Sequence, residues 1–336
     1  MSVRIISRAQ CCLVIVTSLY ATAWCQDRNE SLRMEGAAHH ELSHLTILGG
    51  QSELKDLSKL DCERVVGVYV RQHDICLAEI KSLQAFPNLC ILECGDHPDD
   101  VELEPQALAA IRDLASVEVL RLFIAGTLPD EVSALKGMSR LKNLEISADK
   151  LCRVEALRAI RGLTSLEVLA LRCQYRIDDT GWISSLRNLR SLELSATQLD
   201  RGWIAGVKGM RHLKDLSVYG AALSADDVRA LADDTNSRLE LLEVSVNTGA
   251  ALGELGRHKG LRILTVHCTG GCDAALSFIE QCEQLETVWL RGMSVSEFDV
   301  SKFERHPTLS HIGVTDAFGL KVEREWSRQT RSNDEK

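Results

Sequence analysis

One short pattern of apolar residues recurs through most of this chain, and it constrains the fold more than any other feature. The pattern is apolar-x-x-apolar-x-apolar, and successive copies begin between 22 and 28 residues apart. A period of this length is typical of architectures in which similar units stack side by side. A further candidate copy, Leu42/Leu45/Ile47, begins 23 residues before Val65. The eleven clear copies are Val65/Val68/Val70, Leu89/Leu92/Cys94, Val117/Leu120/Leu122, Leu141/Leu144/Ile146, Leu166/Leu169/Leu171, Leu189/Leu192/Leu194, Leu213/Leu216/Val218, Leu239/Leu242/Val244, Leu261/Leu264/Val266, Leu285/Val288/Leu290 and Leu309/Ile312/Val314.

Each copy predicts a short strand, because alternate side chains of a strand point to opposite faces. The second and third apolar members then point inward, and stacking the strands in parallel closes a core that no single strand could bury. The stretches between strands must return the chain. Apolar residues recur every three to four positions in residues 129–141, 153–166 and 178–189, which predicts helical segments there. Ser224 has the chemistry of an N-cap for another helix.

Units such as residues 163–171 (LTSLEVLAL) and 186–194 (LRNLRSLEL) make the chain resemble the leucine-rich-repeat superfamily, in particular the bacterial type. The resemblance covers roughly residues 40 to 318. It implies an α/β solenoid, a right-handed horseshoe or arc with parallel strands on the concave face and helices on the convex face. The family usually places Asn or Cys three residues after the last apolar member, whereas only Asn247 keeps the preferred Asn here. We therefore expect irregular turns.

The candidate binding residues are the outward-facing side chains of the strands, which a solenoid holds at fixed spacing. The residue between the last two apolar members forms a central column, and the residue two positions later forms a second column. Strands about 4.8 Å apart bring these side chains into rows. Acidic residues are frequent in the middle of the rows, and aromatic and Arg residues are types that dominate protein–protein contacts. The candidate ligand-binding residues are Tyr69, Glu93, Arg121, Phe123, Glu145, Arg172, Glu193, Asp215, Tyr219, Glu243, Trp289 and Arg291.

These residues predict a groove with exposed aromatic side chains that accepts a basic or mixed protein or peptide segment. The alternative interpretation is that the charges only keep the sheet surface soluble. The net charge of −9, from 48 acidic and 39 basic side chains, argues against nucleic acid as a partner, because a phosphate backbone requires a concentrated cationic face. The sequence has no glycine-rich phosphate loop or nucleophile elbow. We therefore expect a monomeric, non-catalytic binding scaffold with no catalytic residues, metal ligands or cofactor.

One motif favours an enzyme instead. His40-Glu41-Leu42-Ser43-His44 matches the HExxH pattern of zinc peptidases, in which a helix brings the two histidines to one metal ion and the glutamate acts as general base. The same residues also fit a terminal strand with Leu42, Leu45 and Ile47 inward. These two interpretations exclude each other, and the strand is favoured because residues 24–39 are too few to build a peptidase fold around a helix here.

The first residues have the features of a secretory signal peptide. Arg4 and Arg8 precede an apolar run, residues 11–20, and small residues follow at 21–23. The domain prediction is a signal peptide at 1–23, a linker at 24–39, the repeat domain at 40–318 and a polar tail at 319–336. This predicts a secreted or otherwise extracytoplasmic protein with no membrane span after cleavage. The alternatives are an uncleaved anchor and, if the N-terminus is not a signal, an intracellular adaptor.

Twelve cysteines are present, but their spacing is not that of a small disulfide-stapled domain. Cys94 and Cys282 fall at repeat positions that favour a small apolar side chain, so packing in the core is the simplest interpretation. Cys268 and Cys272 flank a Thr-Gly-Gly turn and are the best local candidates for a disulfide.

Overall fold

The computed structural model describes residues 43–48, 62–63, 65–71, 76–95, 104–124, 130–148, 154–173, 177, 179–232, 238–268, 277–292, 303–315 and 322–327. The chain divides into two compact units, Met1–Asp149 and Lys150–Lys336. The predicted signal peptide, the linker, and His40 and Glu41 lie outside the described residues, as does Cys272.

In the described part of the N-terminal unit, five strands pair in parallel in chain order. The chain between strands returns through α1 (Leu77–Ser82), which continues as a 3₁₀ turn at Leu83–Ala85, through α2 (Pro105–Ile111), and through a 3₁₀ segment at Asp130–Gly137. Pro105 opens α2, a position where its missing N–H costs no helical hydrogen bond. The strands are β1 (Ser43–Leu48), β2 (Val65–Arg71), β3 (Ile91–Cys94), β4 (Val119–Ile124) and β5 (Asn143–Ala148).

The C-terminal unit repeats the same plan. Its parallel strands are β6 (Val168–Cys173), β7 (Ser191–Ser195), β8 (Asp215–Leu223), β9 (Leu241–Val246), β10 (Ile263–Cys268), β11 (Thr287–Arg291) and β12 (His311–Thr315). The helices are α3 (Val154–Ile160), α4 (Gly202–Val207), α5 (Ala225–Ala232), α6 (Gly249–Leu255) and α7 (Ser277–Gln281), with a 3₁₀ segment at Gly181–Ser185.

The repeated apolar residues form the core, as the sequence predicts. All three members of each of the eleven clear copies are buried, and no member is more than 3% exposed. Residues at equivalent positions lie opposite one another on neighbouring strands; for example, Leu92 is in register with Val68 and Leu120. The fold is an α/β leucine-rich-repeat solenoid, because its parallel strands are joined by short helical connections and successive repeats share one apolar ladder.

Strand β1 decides between the two interpretations of the HExxH motif. Residues 43–48 form a parallel strand in register with β2, with Leu45 opposite Val68 and Ile47 opposite Val70. His44 therefore has an extended backbone and lies in a ladder opposite Gly67. A zinc-peptidase motif needs both histidines on one continuous helix, so the strand at His44 contradicts the peptidase interpretation. The terminal strand is confirmed for residues 43–48, whereas Leu42 lies outside the described residues.

The helical predictions are confirmed in two places and need correction in two. Residues 153–166 contain α3, and Ser224 caps α5, where its hydroxyl accepts a hydrogen bond from Asp227 N at 3.3 Å. The helical segments at Asp130–Gly137 and Gly181–Ser185 are 3₁₀ rather than α-helical. A 3₁₀ helix rises more per residue than an α-helix, so it suits a short connection that must span the width of one repeat.

In several repeats a polar side chain just before the first apolar member donates a hydrogen bond to a carbonyl group of the repeat before it. Asn88 Nδ2 donates to Glu63 O at 2.7 Å, Ser116 Oγ to Leu89 O at 2.7 Å and Asn188 Nδ2 to Thr164 O at 2.9 Å. Thr308 Oγ1 donates to Glu283 O and Leu285 O, each at 2.9 Å. These side chains therefore link neighbouring repeats at the turn that precedes each of these strands.

The predicted polar tail is wrong for part of its length. Val322–Ser327 form β13, which pairs antiparallel with β12. The ring of Trp326 lies 6.0 Å from that of Phe303, measured between centroids. An edge strand with free backbone groups favours pairing with other chains, and β13 covers the edge of β12 in the way that the end units of solenoids are capped.

Candidate binding surface

The strand face is the side of the sheet opposite the buried apolar ladder. It carries the predicted central column, together with the residues two positions before and after it on each strand. The register confirms the central column within each unit: Tyr69, Glu93, Arg121 and Glu145 lie in one row, and Ala170 begins another. The second row continues through Glu193, Ser217, Glu243, Thr265, Trp289 and Gly313.

In the N-terminal unit, Arg121 joins two carboxylates on the neighbouring strands. Its Nη1 donates to Glu93 Oε2 at 2.8 Å, and its Nε lies 3.4 Å from Glu145 Oε2. The side chains of both glutamates are 9% exposed and that of Arg121 is 16% exposed. Phe123, two residues along β4, is partly buried. The two acidic residues of this row are therefore not available as free charges.

A second pair of charges lies on β6 and β7 of the C-terminal unit. Arg172 holds Glu193 with two hydrogen bonds, Nε to Oε1 at 2.5 Å and Nη2 to Oε2 at 2.7 Å. Such two-pronged contacts between a guanidinium and a carboxylate are stronger than single ones. Asp215, another predicted site residue, is buried and lies in the row two positions before the central column, opposite Ser191 and Leu241.

Glu243, Tyr219 and His267 form a polar cluster on three strands. His267 Nε2 lies 3.0 Å from Glu243 Oε1, and the rings of Tyr219 and His267 meet edge to face at 5.4 Å. Burial raises the pKa of the Tyr219 phenol, and the neighbouring Glu243 carboxylate adds to this effect. Tyr219 therefore stays neutral and presents a hydrogen-bonding group rather than a charge. His267 was not among the predicted site residues.

A bulge in β8 displaces the second column at Tyr219. The ladder to β9 shifts between Val218 and Ala222, so Ser245 lies opposite Ala222 instead of Tyr219. Gly220 permits the bulge, with a φ of +85°, and a Cβ at this position would lie 1.2 Å from Ala196 O. A bulge re-aims the side chain beside it. Tyr219 contacts His267, which lies two strands away from β8.

The ring of Trp289 lies flat against the next strand. Gly313 is the following member of the central column, and a Cβ there would lie 2.2 Å from Trp289 Cζ3. The indole also contacts the His311 ring, with centroids 4.7 Å apart. Trp289 is partly buried. The glycine in this row is therefore a packing requirement for the tryptophan of the preceding repeat.

Arg291 differs from the other strand-face arginines whose side chains the structure describes. Arg121 and Arg172 are both paired with glutamates, whereas Arg291 has no carboxylate within ion-pair distance in the described part of the chain. Its Nε is buried and has no hydrogen-bond partner. The side chain is partly buried between His267 on β10 and Thr315 on β12, which flank it in the register. Among the strand-face side chains that the structure describes, Arg291 is therefore a cation without a counter-charge.

Two features of the predicted surface need correction. The aromatic residues Phe123, Tyr219 and Trp289 are partly buried rather than exposed. The rings of Tyr219 and Trp289 pack against side chains and backbone of neighbouring strands. The acidic side chains of the groove are also engaged within the protein, because Glu93 and Glu145 share Arg121, Glu193 pairs with Arg172 and Glu243 contacts the His267 ring. Tyr69 is partly buried as well.

The helix side of the C-terminal unit has a groove of about 570 Å³, lined by residues of α3 and of the 3₁₀ segment Gly181–Ser185. Arg158 and Asp179 form an ion pair of 2.6 Å in its wall, and a hydrogen bond from Arg158 holds the pKa of Asp179 below its ordinary value.

Within the described ranges, no three His, Cys, Asp or Glu side chains are grouped so that they could hold a metal ion. No helix in the same ranges is both long and apolar enough to cross a membrane.

The described cysteines include buried free thiols and disulfide-bonded residues. Cys94 is 1% exposed and Cys282 is fully buried, which confirms a packing role. Burial raises the pKa of the Cys282 thiol to about 11, so it stays protonated. Cys173 and Cys268 are disulfide-bonded. They lie on β6 and β10, too far apart for a bond with each other, and pairing of Cys268 with Cys272 stays a prediction because Cys272 lies outside the described residues.

No protein-family model matches this chain, and no curated protein matches it. Solved structures do match. An internalin from Listeria monocytogenes is 16% identical with a TM-score of 0.48, over 75% of this chain and 74% of that one. A plant peptide hormone receptor in complex with RGF2 is 12% identical with a TM-score of 0.46, over 83% of this chain. This chain covers about half of that receptor, 47%. At these identities and scores neither likeness carries a function over.

Proposed function

We propose that this chain is a non-catalytic binding scaffold that recognises a protein or peptide segment through its strand face. The observation that carries the proposal is the register, which sets charged and aromatic side chains of consecutive parallel strands in fixed rows. Strands about 4.8 Å apart set the side chains of each row at a spacing that suits a ligand lying across several strands. Cross-strand contacts such as Arg172 with Glu193 and Trp289 with Gly313 hold these side chains in place. Binding then costs little side-chain entropy.

The proposal includes export of a monomeric protein after cleavage of a signal peptide at residues 1–23. The disulfide bonds of Cys173 and Cys268 support export, because disulfides persist in oxidising compartments and are rare in reducing ones. An intracellular adaptor is the competing proposal. N-terminal sequencing of the mature protein separates the two, since a start near Trp24 is expected only after export, and an intact Met1 would favour the adaptor.

The function can be tested without knowledge of the natural partner. The full chain is used to select from a display library of random 12-residue peptides, in parallel with a variant that carries Tyr219→Ala and Trp289→Ala. A matched variant carries Arg187→Ala and Glu280→Ala, two exposed residues away from the strand face. We expect peptides that bind the native chain and the matched variant but not the strand-face variant. Equal binding to all three proteins would contradict the proposal.

A further inference from the structure

The carboxylates of the paired charges on the strand face are already engaged by arginines of the protein. Arg121 contacts both Glu93 and Glu145, which leaves that group one negative charge, and Arg172 neutralises Glu193. A ligand cation that approached these carboxylates would compete with an arginine that is already in place. In the C-terminal unit, a charged group without an internal partner is therefore better placed to select the charge of a ligand.

Arg291 is such a group. The desolvation of a guanidinium is costly unless a counter-charge or hydrogen-bond acceptors replace the lost water. The Nε of Arg291 is buried without an acceptor, and Glu243 in the neighbouring row is engaged by His267 at 3.0 Å. The structure thus has a cation with unmet hydrogen-bonding capacity on the surface where the ligand is expected.

The residues around Arg291 indicate which ligand group could accept a hydrogen bond from its guanidinium. Trp289 lies two residues earlier on the same strand and on the same face, and its ring is fixed over Gly313. An indole beside a guanidinium offers apolar area for a short aliphatic stem and leaves the charged end to the arginine. A single planar cation matches one carboxylate with two parallel hydrogen bonds. A phosphate dianion would call for more than one positive charge, and Arg291 is the one uncompensated cation among the described strand-face side chains.

We propose that Arg291 receives a carboxylate of the bound protein or peptide segment, with Trp289 packing against the carbon atoms next to that carboxylate. This inference rests on the proposed function, and it adds that the C-terminal repeats select an acidic segment. It reverses the expectation of a basic or mixed ligand that the count of acidic strand residues suggests. The carboxylate would lie beside Arg291 in the row that His267, Arg291 and Thr315 form across three strands.

The test uses the same peptide selection with Arg291→Gln, Arg291→Lys and, as a charge-matched control, Arg187→Gln. Arg187 is exposed in the turn before β7, so its loss changes the net charge but not the strand face. We expect peptides selected on the native chain to contain Asp or Glu and to bind Arg291→Gln at least about 10-fold more weakly, as for loss of a charge-assisted contact. Arg291→Lys should recover part of the binding, because it restores the charge without the planar fork.

Two synthetic versions of a selected peptide, one with its acidic residue and one with the corresponding amide, test whether that carboxylate contacts Arg291. Exchange of the acidic residue for its amide should weaken binding to the native chain about 10-fold and leave binding to Arg291→Gln unchanged, since the two groups act as one contact. Peptides that need Tyr219 and Trp289 but bind Arg291→Gln as well as the native chain would overturn this inference and leave the proposed function standing. Peptides that bind every strand-face variant equally would overturn both.

Discussion

The indole of Trp289 fills the space that a side chain at Gly313 would occupy: a Cβ built on Gly313 would lie 2.2 Å from Cζ3 and 2.4 Å from Cε3 of the ring. The two residues are direct neighbours in the register of β11 and β12. The glycine is not required by its backbone conformation, because its φ is not in the left-handed region. The requirement is steric, and it comes from the preceding repeat.

Gly313→Ala should therefore displace the Trp289 ring and destabilise the protein by about 1–3 kcal/mol, the usual cost of overpacking. Urea unfolding measures the free energy, and tryptophan fluorescence reports the displaced ring. In a Trp289→Ala background the same glycine substitution should cost much less, because the clash is gone. Equal costs in both backgrounds would show that the ring and the glycine are not coupled.

Gly220 is a glycine with a different requirement. Its φ of +85° is unfavourable for other residues, and a Cβ would lie 1.2 Å from the backbone oxygen of Ala196. Gly220→Ala should therefore destabilise the protein by more than about 2 kcal/mol and disturb the bulge that places Tyr219. Gly253 in α6 is the control, since a Cβ there meets nothing within 4 Å. Gly253→Ala should stabilise the protein by about 0.5–1 kcal/mol. A loss of stability at both glycines would contradict the steric argument.

The sequence was sufficient for the repeat and its core because the apolar period is a local signal with a single structural meaning. Leu92 and Leu120, for example, are buried in register as the pattern predicts. The connections were harder. The periodicity of residues 178–189 is shared by α-helices and 3₁₀ turns, and only the length available between strands distinguishes them. Strand β13 has no apolar triplet, and its existence depends on the open edge of β12.

The sequence predicted which residues lie on the candidate surface, but it did not predict their exposure or their charge pairing. Alternation along a strand identifies outward residues such as Glu193 and Tyr219, yet it says nothing about contacts across strands. The pairing of Arg172 with Glu193 depends on the register of two repeats that are 21 residues apart. Gly313 follows Trp289 by one repeat in the same column. A glycine in that position is a sequence signal that could have predicted packing of the tryptophan ring against the next strand.

The Arg121 contacts predict a large cost for removal of one cation. Arg121→Leu would leave Glu93 and Glu145 as two carboxylates, each 9% exposed, on either side of an apolar side chain. Removal of one member of a buried ion pair typically costs about 3–5 kcal/mol, because the remaining charge stays desolvated. We expect a loss near the lower end, since Arg121 is 16% exposed. Urea unfolding at neutral pH measures it.

Addition of Glu93→Gln and Glu145→Gln to Arg121→Leu should recover most of that stability, because no uncompensated charge remains. The matched control is Arg112→Leu, which removes an exposed arginine that pairs with Asp113 at 3.6 Å. Its effect should be within about 1 kcal/mol of zero, as for other surface pairs. If the triple variant were no more stable than Arg121→Leu alone, the charges would not be the cause of the loss.

His258 makes the stability of the C-terminal unit depend on pH. It is 3% exposed, its Nε2 has no hydrogen-bond partner, and burial lowers the pKa of the imidazole from 6.5 to about 4, although a backbone hydrogen bond with Val228 opposes the shift. The unfolded chain binds a proton at this residue below pH 6.5, whereas the folded chain does so only near pH 4. The contribution of His258 to the free energy of unfolding is therefore fully present above pH 6.5 and is lost as the pH is lowered from 6.5 towards 4.

His258→Met should flatten this dependence. Equivalent positions in earlier repeats carry buried Met210, Leu186 and Leu163, so methionine fits the site. One pKa unit corresponds to about 1.4 kcal/mol, so the difference in unfolding free energy between pH 7 and pH 4 should shrink by roughly 3 kcal/mol. Urea unfolding at pH 7, 6, 5 and 4 measures it, with His212→Met at an exposed histidine as the matched exchange. The carboxylates are common to all three proteins, so their contribution cancels in the comparison. An unchanged slope in His258→Met would mean that the buried imidazole is already protonated in the folded chain or is reached by water.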